Sequence, residues 1–278
     1  PTPTVSPEPT VAASLAIAND VEIVGQSAAF SADGRWFAFT ARPADGSGGP
    51  DVYIWKVGQA DARPLTSDGV STFASWAGND VVVSRPVATD TVAEAAAPIT
   101  VTVDPGTGAE SAGGSTWRPV VDPSGQRAVT WDGTIALVDG TAWQPAAGRL
   151  ELRDWPIDAG AVDDGAQIVV DDVLADFDVR WDGSGSWFAV WTADPTDTSL
   201  GRLSLYRVNA DTGLLEQPDG APVDVPALPG FSIGEGRLAW ATPPGQGGEG
   251  SRVHIVAWTT EGVGSIETAP GAEIIVIR

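Results

Sequence analysis

The sequence has no cysteine, no methionine, one histidine and one lysine. Without cysteine there is no disulfide, no thiolate metal site and no cysteine nucleophile. A single histidine rules out a multi-histidine zinc centre, and a Ser-His-Asp triad would have to use His254. That residue sits in SRVHIVAW, where Val253, Ile255 and Ala257 alternate onto the opposite face, so it reads as a strand-face residue. No G-x-S-x-G turn presents a nucleophile. Basic residues are scarce: 15 Lys and Arg stand against 37 Asp and Glu, for a net charge of −22. Affinity for nucleic acid comes mainly from Lys and Arg neutralising phosphates, so the charge argues against that partner and against an anionic membrane surface. No apolar run reaches the roughly 18 residues of a spanning helix, which places any signal or anchor upstream of residue 1. The absence of methionine likewise leads us to expect a longer precursor. Lys56 as the sole lysine suggests a GC-rich bacterial genome.

What is present points to one folded body. The 278 residues allow one large all-β domain or two small ones. Apolar residues make up 42% against 19% charged, a globular rather than disordered balance. With 33 glycines and 22 prolines, turns should be many and helices few. Residues 1–10 read PTPTVSPEPT, which cannot pack a core and favours an extended chain. We take 1–12 as a Pro/Thr-rich tether and 13–278 as a single domain.

That domain repeats itself. SAAFSADGRWFAFTAR (27–42), TFASWAGNDVVVSRP (72–86), WRPVVDPSGQRAVTW (117–131), FDVRWDGSGSWFAVWTA (177–193) and GFSIGEGRLAWAT (230–242) each read as strand, tight turn, strand. A third strand follows in each unit: DVYIWKV, ITVTV, GRLELRDW, GRLSLYRV and SRVHIVAW. A weaker fourth is visible in ARPLT, AQIVVDD and GSIET. Four antiparallel strands per repeat make the blade of a β-propeller. The residues before the tight turns are Phe30, Trp76, Val121, Trp181 and Ile233, separated by 46, 45, 60 and 52. The longer gaps hold insertions such as 139–147 and 156–165. The arithmetic favours five blades, the last closed by EIIVIR (273–278) pairing near VEIVG (21–25). Six blades is the alternative, with those two segments as a small extra sheet.

The pattern resembles the TolB-like (PD40, WD40-like) propeller repeat. The resemblance rests on FSADGRWFAF with DVYIW, VVDPSGQRAV, and RWDGSGSWFAV with RLSLYRV. Units two and five lack the Pro-Asp-Gly core. The resemblance covers about residues 25–270 and implies a fold more than a function. A Pro/Thr tether ahead of a degenerate propeller also looks like the outward-facing region of bacterial membrane-anchored regulators of the anti-sigma-factor kind.

Candidate chemistry is thin. Asp176 and Asp178 are the carboxylates on first strands, which line the axis of a propeller; Asp122, Asp182 and Glu235 fall at turns. Some five-bladed propellers are glycosidases with an axial carboxylate pair, yet the first strands of units one and two carry no carboxylate. Asp171, Asp172, Asp194 and Asp197 are weak calcium candidates, oxygen-rich but without EF-hand spacing. Twelve tryptophans are many for this length. Trp36 with Trp187, and Trp76 with Trp181, recur at equivalent positions and suit packing between blades. Trp117, Trp143 and Trp155 fall outside that register and are candidates for exposed rings at a binding surface. Long loops at 43–50, 86–97, 193–200 and 243–250 are candidates for a recognition rim.

The sequence therefore leads us to expect a non-catalytic, extracytoplasmic bacterial propeller. Its expected ligand is a protein, peptide or glycan, bound without a cofactor or a resident metal, and its membrane association would run only through a tether. A carbohydrate-active enzyme with axial carboxylates and a structural surface or assembly protein are the two alternatives.

Overall fold

The computed structural model describes residues 16–87, 95–138, 142–157, 165–173, 175–244, 250–259 and 262–266. Strands form because apolar and β-branched residues run between Gly- and Asp-rich turns. Sheet 1 holds β1 (Val21–Phe30), β2 (Trp36–Pro43), β3 (Asp51–Lys56) and β4 (Arg63–Pro64). Sheet 2 holds β5 (Thr72–Ala77), β6 (Asp80–Pro86), β8 (Pro98–Val103) and β9 (Glu110–Gly114), with the short β7 (Ala95–Ala96) between β6 and β8 in the chain. Sheet 3 holds β10 (Trp117–Val121), β11 (Arg127–Val138), β12 (Ala142–Asp154) and β13 (Gln167–Val173). Sheet 4 holds β14 (Phe177–Trp181), β15 (Trp187–Ala193), β16 (Gly201–Val208) and β17 (Leu215–Glu216), with β18 (Val225–Ala227) also on β16. Sheet 5 holds β19 (Ser232–Gly234), β20 (Arg237–Thr242), β21 (Arg252–Thr259) and β22 (Gly262–Ile266). All pairings are antiparallel, and every described element is a strand.

The turns explain which repeats match the TolB-like pattern. In sheets 3 and 4 the β10–β11 and β14–β15 turns are closed by one aspartate each. Asp122 accepts the Gln126 and Arg127 amides at 2.9 and 3.0 Å and the Ser124 hydroxyl. Asp182 accepts the Ser184 hydroxyl at 2.7 Å and the Trp187 amide at 3.2 Å. Sheet 1 uses Ser31 and Asp33 together. Sheets 2 and 5 close instead with two-residue turns, Gly78-Asn79 and Glu235-Gly236, in which Gly78, Glu235 and Gly236 all take positive φ. A two-residue turn has no room for the aspartate, which is why units two and five lack it.

The core lies between sheets. Phe188 and Val190 of β15 face sheet 3, meeting Trp117, Val129, Trp131 and Leu150. The alternate residues Trp187, Ala189 and Trp191 face sheet 5, meeting Phe231, Leu238 and Trp240. A strand buried on both faces reads as a continuous apolar run such as WFAVW rather than as an alternation. Similar clusters join sheets 1 and 2 around Ile54, Phe73 and Val83, and sheets 2 and 3 around Val82, Val121, Ala128 and Trp155. Gly133 and Gly148 lie opposite each other under the Trp131 ring, and a Cβ on either would sit 2.8–2.9 Å from it.

Polar side chains pin the same seams. Trp76 donates to the Ala29 carbonyl of sheet 1 at 3.0 Å, and Trp181 donates to the Val120 carbonyl of sheet 3 at 3.0 Å. These rings fill the same role two sheets apart, each reaching the preceding sheet, as their register implied. Thr40 accepts the Phe73 amide at 2.9 Å, and Ser75 donates to the Pro119 carbonyl at 2.8 Å.

Two expectations need correcting. VEIVG is not a strand separate from SAAF: it is the first half of β1, pairs with β2, and continues through a bulge at Gly25 (φ +83°) into SAAF. A glycine there lets one ten-residue strand bend without a break. EIIVIR and residues 1–12 lie outside the described residues, which hold five sheets. The segment around 142–147 is no loose insertion, because β11 and β12 extend through it as a long hairpin onto which β7 of the neighbouring sheet's loop pairs, Ala96 opposite Ile135.

Two measurements test this packing. In urea unfolding, Trp131→Ala should cost about 3–5 kcal/mol, whereas Trp181→Phe, which keeps a ring and loses one hydrogen bond, should cost about 1 kcal/mol. A Trp131→Ala cost well below that range would mean the seam between sheets 3 and 4 is not packed. Hydrogen bonds from Arg35 and Ser31 hold the Asp33 carboxyl below its usual range; Ser47 does the same for Asp45, Thr107 for Asp104 and Thr196 for Asp194. Folded values below unfolded ones give stability that is complete above about pH 4 and lost as pH falls through the folded values. The urea midpoint should therefore drop steadily on acidification below pH 4, and a rise would contradict the turn geometry.

Candidate functional site

The first strands of four sheets meet at an axis. Ser27–Ala29 of β1, Phe73–Trp76 of β5, Arg118 and Val120 of β10, and Phe177–Arg180 of β14 line one cavity of about 370 Å³. A second cavity of about 300 Å³ adjoins it where those strands begin, and Arg118 is a wall of both. This mouth pocket is lined by Thr72, Trp117, Asp176 and, from sheet 1, Thr40 and Arg42. The extended β11–β12 hairpin supplies Trp143 and Gln144.

Arg118 organises the centre. Its φ of +47° and a register shift between Trp117 and Val120 mark a bulge in β10, the device by which a strand re-aims a side chain. Its amide donates to Ser84 at 2.9 Å. Its Nη1 donates to Asp176 Oδ1 at 2.7 Å, with both side chains about nine-tenths buried. The guanidinium lies 5.3 Å from the Phe177 ring centre. One step along β14, Arg180 donates from Nε and Nη2 to Asp178 Oδ2 at 3.0 and 2.8 Å, donates to the Phe231 carbonyl, and stacks over the Phe231 ring. The two axial carboxylates thus tie sheet 4 to sheets 3 and 5 through arginines.

The residues expected at a site divide accordingly. Trp117, Trp143 and Asp176 converge on the mouth pocket, and Asp178 lines the deeper cavity. Trp117 is not an exposed ring: only 1% of it is accessible, because it packs in the core between sheets 3 and 4. Trp155 is not one either. It is buried between sheets 2 and 3, where Gly113 leaves room for its ring edge, and it lines neither axial cavity. Trp143 is half-buried against the sheet 3–4 cluster. Asp194 accepts from the amide and hydroxyl of Thr196, and Asp197 from those of Ser199, each within its own turn. Asp171, Asp172 and Asp194 border a separate cleft of about 500 Å³ between sheets 3 and 4 with Asp224 and Arg202. No three His, Asp or Glu side chains among the described residues are grouped to hold a metal. His254 lies on β21 in sheet 5, stacked 5.1 Å from Trp240. Burial, aided by Arg252, holds its pKa below the ordinary histidine value.

Arg118, Arg42 and Arg180 went unrecognised in the sequence. One signal was available: Arg118 stands four residues before Asp122 as Asp178 stands four before Asp182. A basic residue at a carboxylate's axial register is its natural partner.

The comparisons follow from this geometry. A prolyl endopeptidase is 15% identical, with a TM-score of 0.54 over 91% of this chain and 36% of its own. The chain is a β-propeller. A chain assigned as TolB from Agrobacterium tumefaciens is 15% identical over 72% of this chain and 64% of its own, TM-score 0.44. The propeller domain of the Trilobed protease from Pyrococcus furiosus, described as having an open velcro topology, is 11% identical over 88% and 70%, TM-score 0.47. The propeller described here thus spans about a third of the prolyl endopeptidase and just under two thirds of the TolB chain. No family model matches the sequence, and no curated protein matches it.

The Arg118–Asp176 pair sets a double-mutant test. Removing one partner of a buried pair leaves the other charge uncompensated, so Asp176→Ala should cost about 3–5 kcal/mol, while Arg118→Met combined with Asp176→Leu should recover most of it. Unfolding midpoints of the wild type and the two variants decide; a double variant as unstable as the single one would contradict the pairing.

Proposed function

We propose that this propeller is a non-catalytic binding module of a bacterial extracytoplasmic protein, taking a peptide, protein or glycan ligand at the mouth of its axis. The observation that carries the reading is the convergence of Trp117, Arg118, Trp143 and Asp176 on one pocket, roofed by a hairpin and continuous with the axial cavity through Arg118. Concave, partly apolar sites with a few convergent polar groups are the usual form of ligand sites. A half-buried tryptophan on a hairpin suits a contact that a ligand completes. The Pro/Thr-rich segment at residues 1–10, of the kind that tethers an outward-facing domain, supports a location at the cell envelope.

Asp176 and Asp178 keep a glycosidase as the second reading. They stand two positions apart where β14 begins, a Cα spacing of roughly 7 Å, and an inverting pair needs two carboxylates about 6.5–9.5 Å apart. Against it, each carboxylate is held by its own arginine, Asp176 by Arg118 and Asp178 by Arg180, and the deeper cavity is otherwise lined mainly by Ala, Ser, Val and aromatic side chains.

Two assays separate the readings. Nitrophenyl glycosides should not be hydrolysed; turnover that Asp178→Asn abolishes would establish the enzyme instead. Tryptophan fluorescence should change on titration with a casein tryptic digest or with chitotetraose. Trp143→Ala should weaken that binding about tenfold, the order expected for truncating a central aromatic contact, in a variant whose far-ultraviolet circular dichroism matches the wild type at the assay temperature. Unaltered binding would remove the mouth pocket as the site.

A further inference from the structure

The mouth pocket holds donors that the fold itself does not use. A guanidinium carries five N–H bonds. Arg118, about nine-tenths buried and a wall of both cavities, directs one to Asp176 and one, at 3.4 Å, to the Phe177 carbonyl, which leaves three without an acceptor among the described residues. Trp143 stands at the same pocket on the β11–β12 hairpin with its ring only half-buried.

Charge points the same way. In a chain of net charge −22, the lining of the two axial cavities carries three arginines, Arg42, Arg118 and Arg180, against two aspartates, Asp176 and Asp178. Glu22 at the rim engages Arg42 at 2.8 Å, and Arg180 is occupied by Asp178 and Phe231. Arg118 is therefore the cation with capacity to spare. Planar guanidinium donors match carboxylates, which can accept two parallel N–H bonds.

We propose that the mouth pocket seats a carboxylate group of the ligand, held by Arg118, with Trp143 covering the apolar part next to it. This deepens the binding reading above and rests on it. The carboxylate could belong to a peptide C-terminus or to a uronic acid; the chemistry at Arg118 is the same for both.

Calorimetry on the intact chain distinguishes the outcomes with four probes: N-acetyl-trialanine as the free acid, the same peptide as its C-terminal amide, galacturonate and inorganic phosphate. At least one carboxylate probe should bind, and if it is the peptide, the free acid should bind about tenfold or more tightly than the amide, the worth of a charge-assisted hydrogen bond. Whichever of peptide acid and galacturonate binds identifies the source. Arg118→Gln should abolish the preference for acid over amide. If that variant fails to fold, the wild-type acid-to-amide ratio still decides. Equal binding of acid and amide, no binding of either carboxylate, or phosphate binding as tightly as both would overturn the inference. Those results leave the binding reading standing as long as Trp143→Ala still weakens the casein-digest or chitotetraose titration; if Trp143→Ala changes nothing, the binding reading itself fails.

Discussion

Sheets 2, 3 and 4 each lie between two neighbours, and this one constraint shapes the rest of the molecule. Their central strands must be apolar on both faces, so β6, β11 and β15 carry the buried runs VVV, RAVTW and WFAVW. Large rings fill the gaps between sheets, and glycines make room where a ring meets the backbone, as Gly133 and Gly148 do for Trp131. Hydroxyls in these seams bridge sheets: Thr40, Ser75 and Ser84 each hold an amide or carbonyl of the adjoining sheet. Packed faces supply most of the stabilisation, and these hydrogen bonds fix the angle and register at which each sheet meets the next.

The same stacking produces the site. Bringing first strands together at an axis leaves a cavity that no side chain among the described residues fills, because β1 and β5 present Ala and Ser there. The charges that enter it are paired, Arg118 with Asp176 across sheets 3 and 4 and Arg180 with Asp178 along β14, which avoids burying an isolated charge. The β11–β12 hairpin, braced by β7 from the neighbouring sheet's loop, then extends over one end and brings Trp143 to the mouth. Arg118 thus links sheets 3 and 4 and lines both axial cavities, with N–H groups that meet no acceptor among the described residues.

The fold was legible because the repeat is written in strand–turn–strand units with turn aspartates at fixed offsets, and those offsets are enforced by hydrogen bonds within one turn. Local rules of that kind can be read locally. The tryptophans were legible where they recur: Trp76 and Trp181 share a register and share a role. Trp117 and Trp155 were misjudged as exposed because burial depends on the neighbouring sheet. Nothing in WRPVV or RDWPI reveals which sheet packs against it. The site was half legible for the same reason. Asp176 and Asp178 were identified as axial, but their arginine partners depend on a bulge at Arg118 and on contact across sheets 58 residues apart in sequence. The long hairpin looked like an insertion because its strands continue past the length at which the other repeats turn.

Native-state hydrogen exchange tests the central claim, that the sheets are stabilised by one another's faces. Amides of β5–β6, β10–β11 and β14–β15 should exchange only through global unfolding, with one common free energy, and Trp131→Ala should lower that value at all three sheets together. Separate free energies for each sheet, or a loss confined to sheets 3 and 4, would show that the sheets are stable on their own and that the packed seams do not hold the structure together.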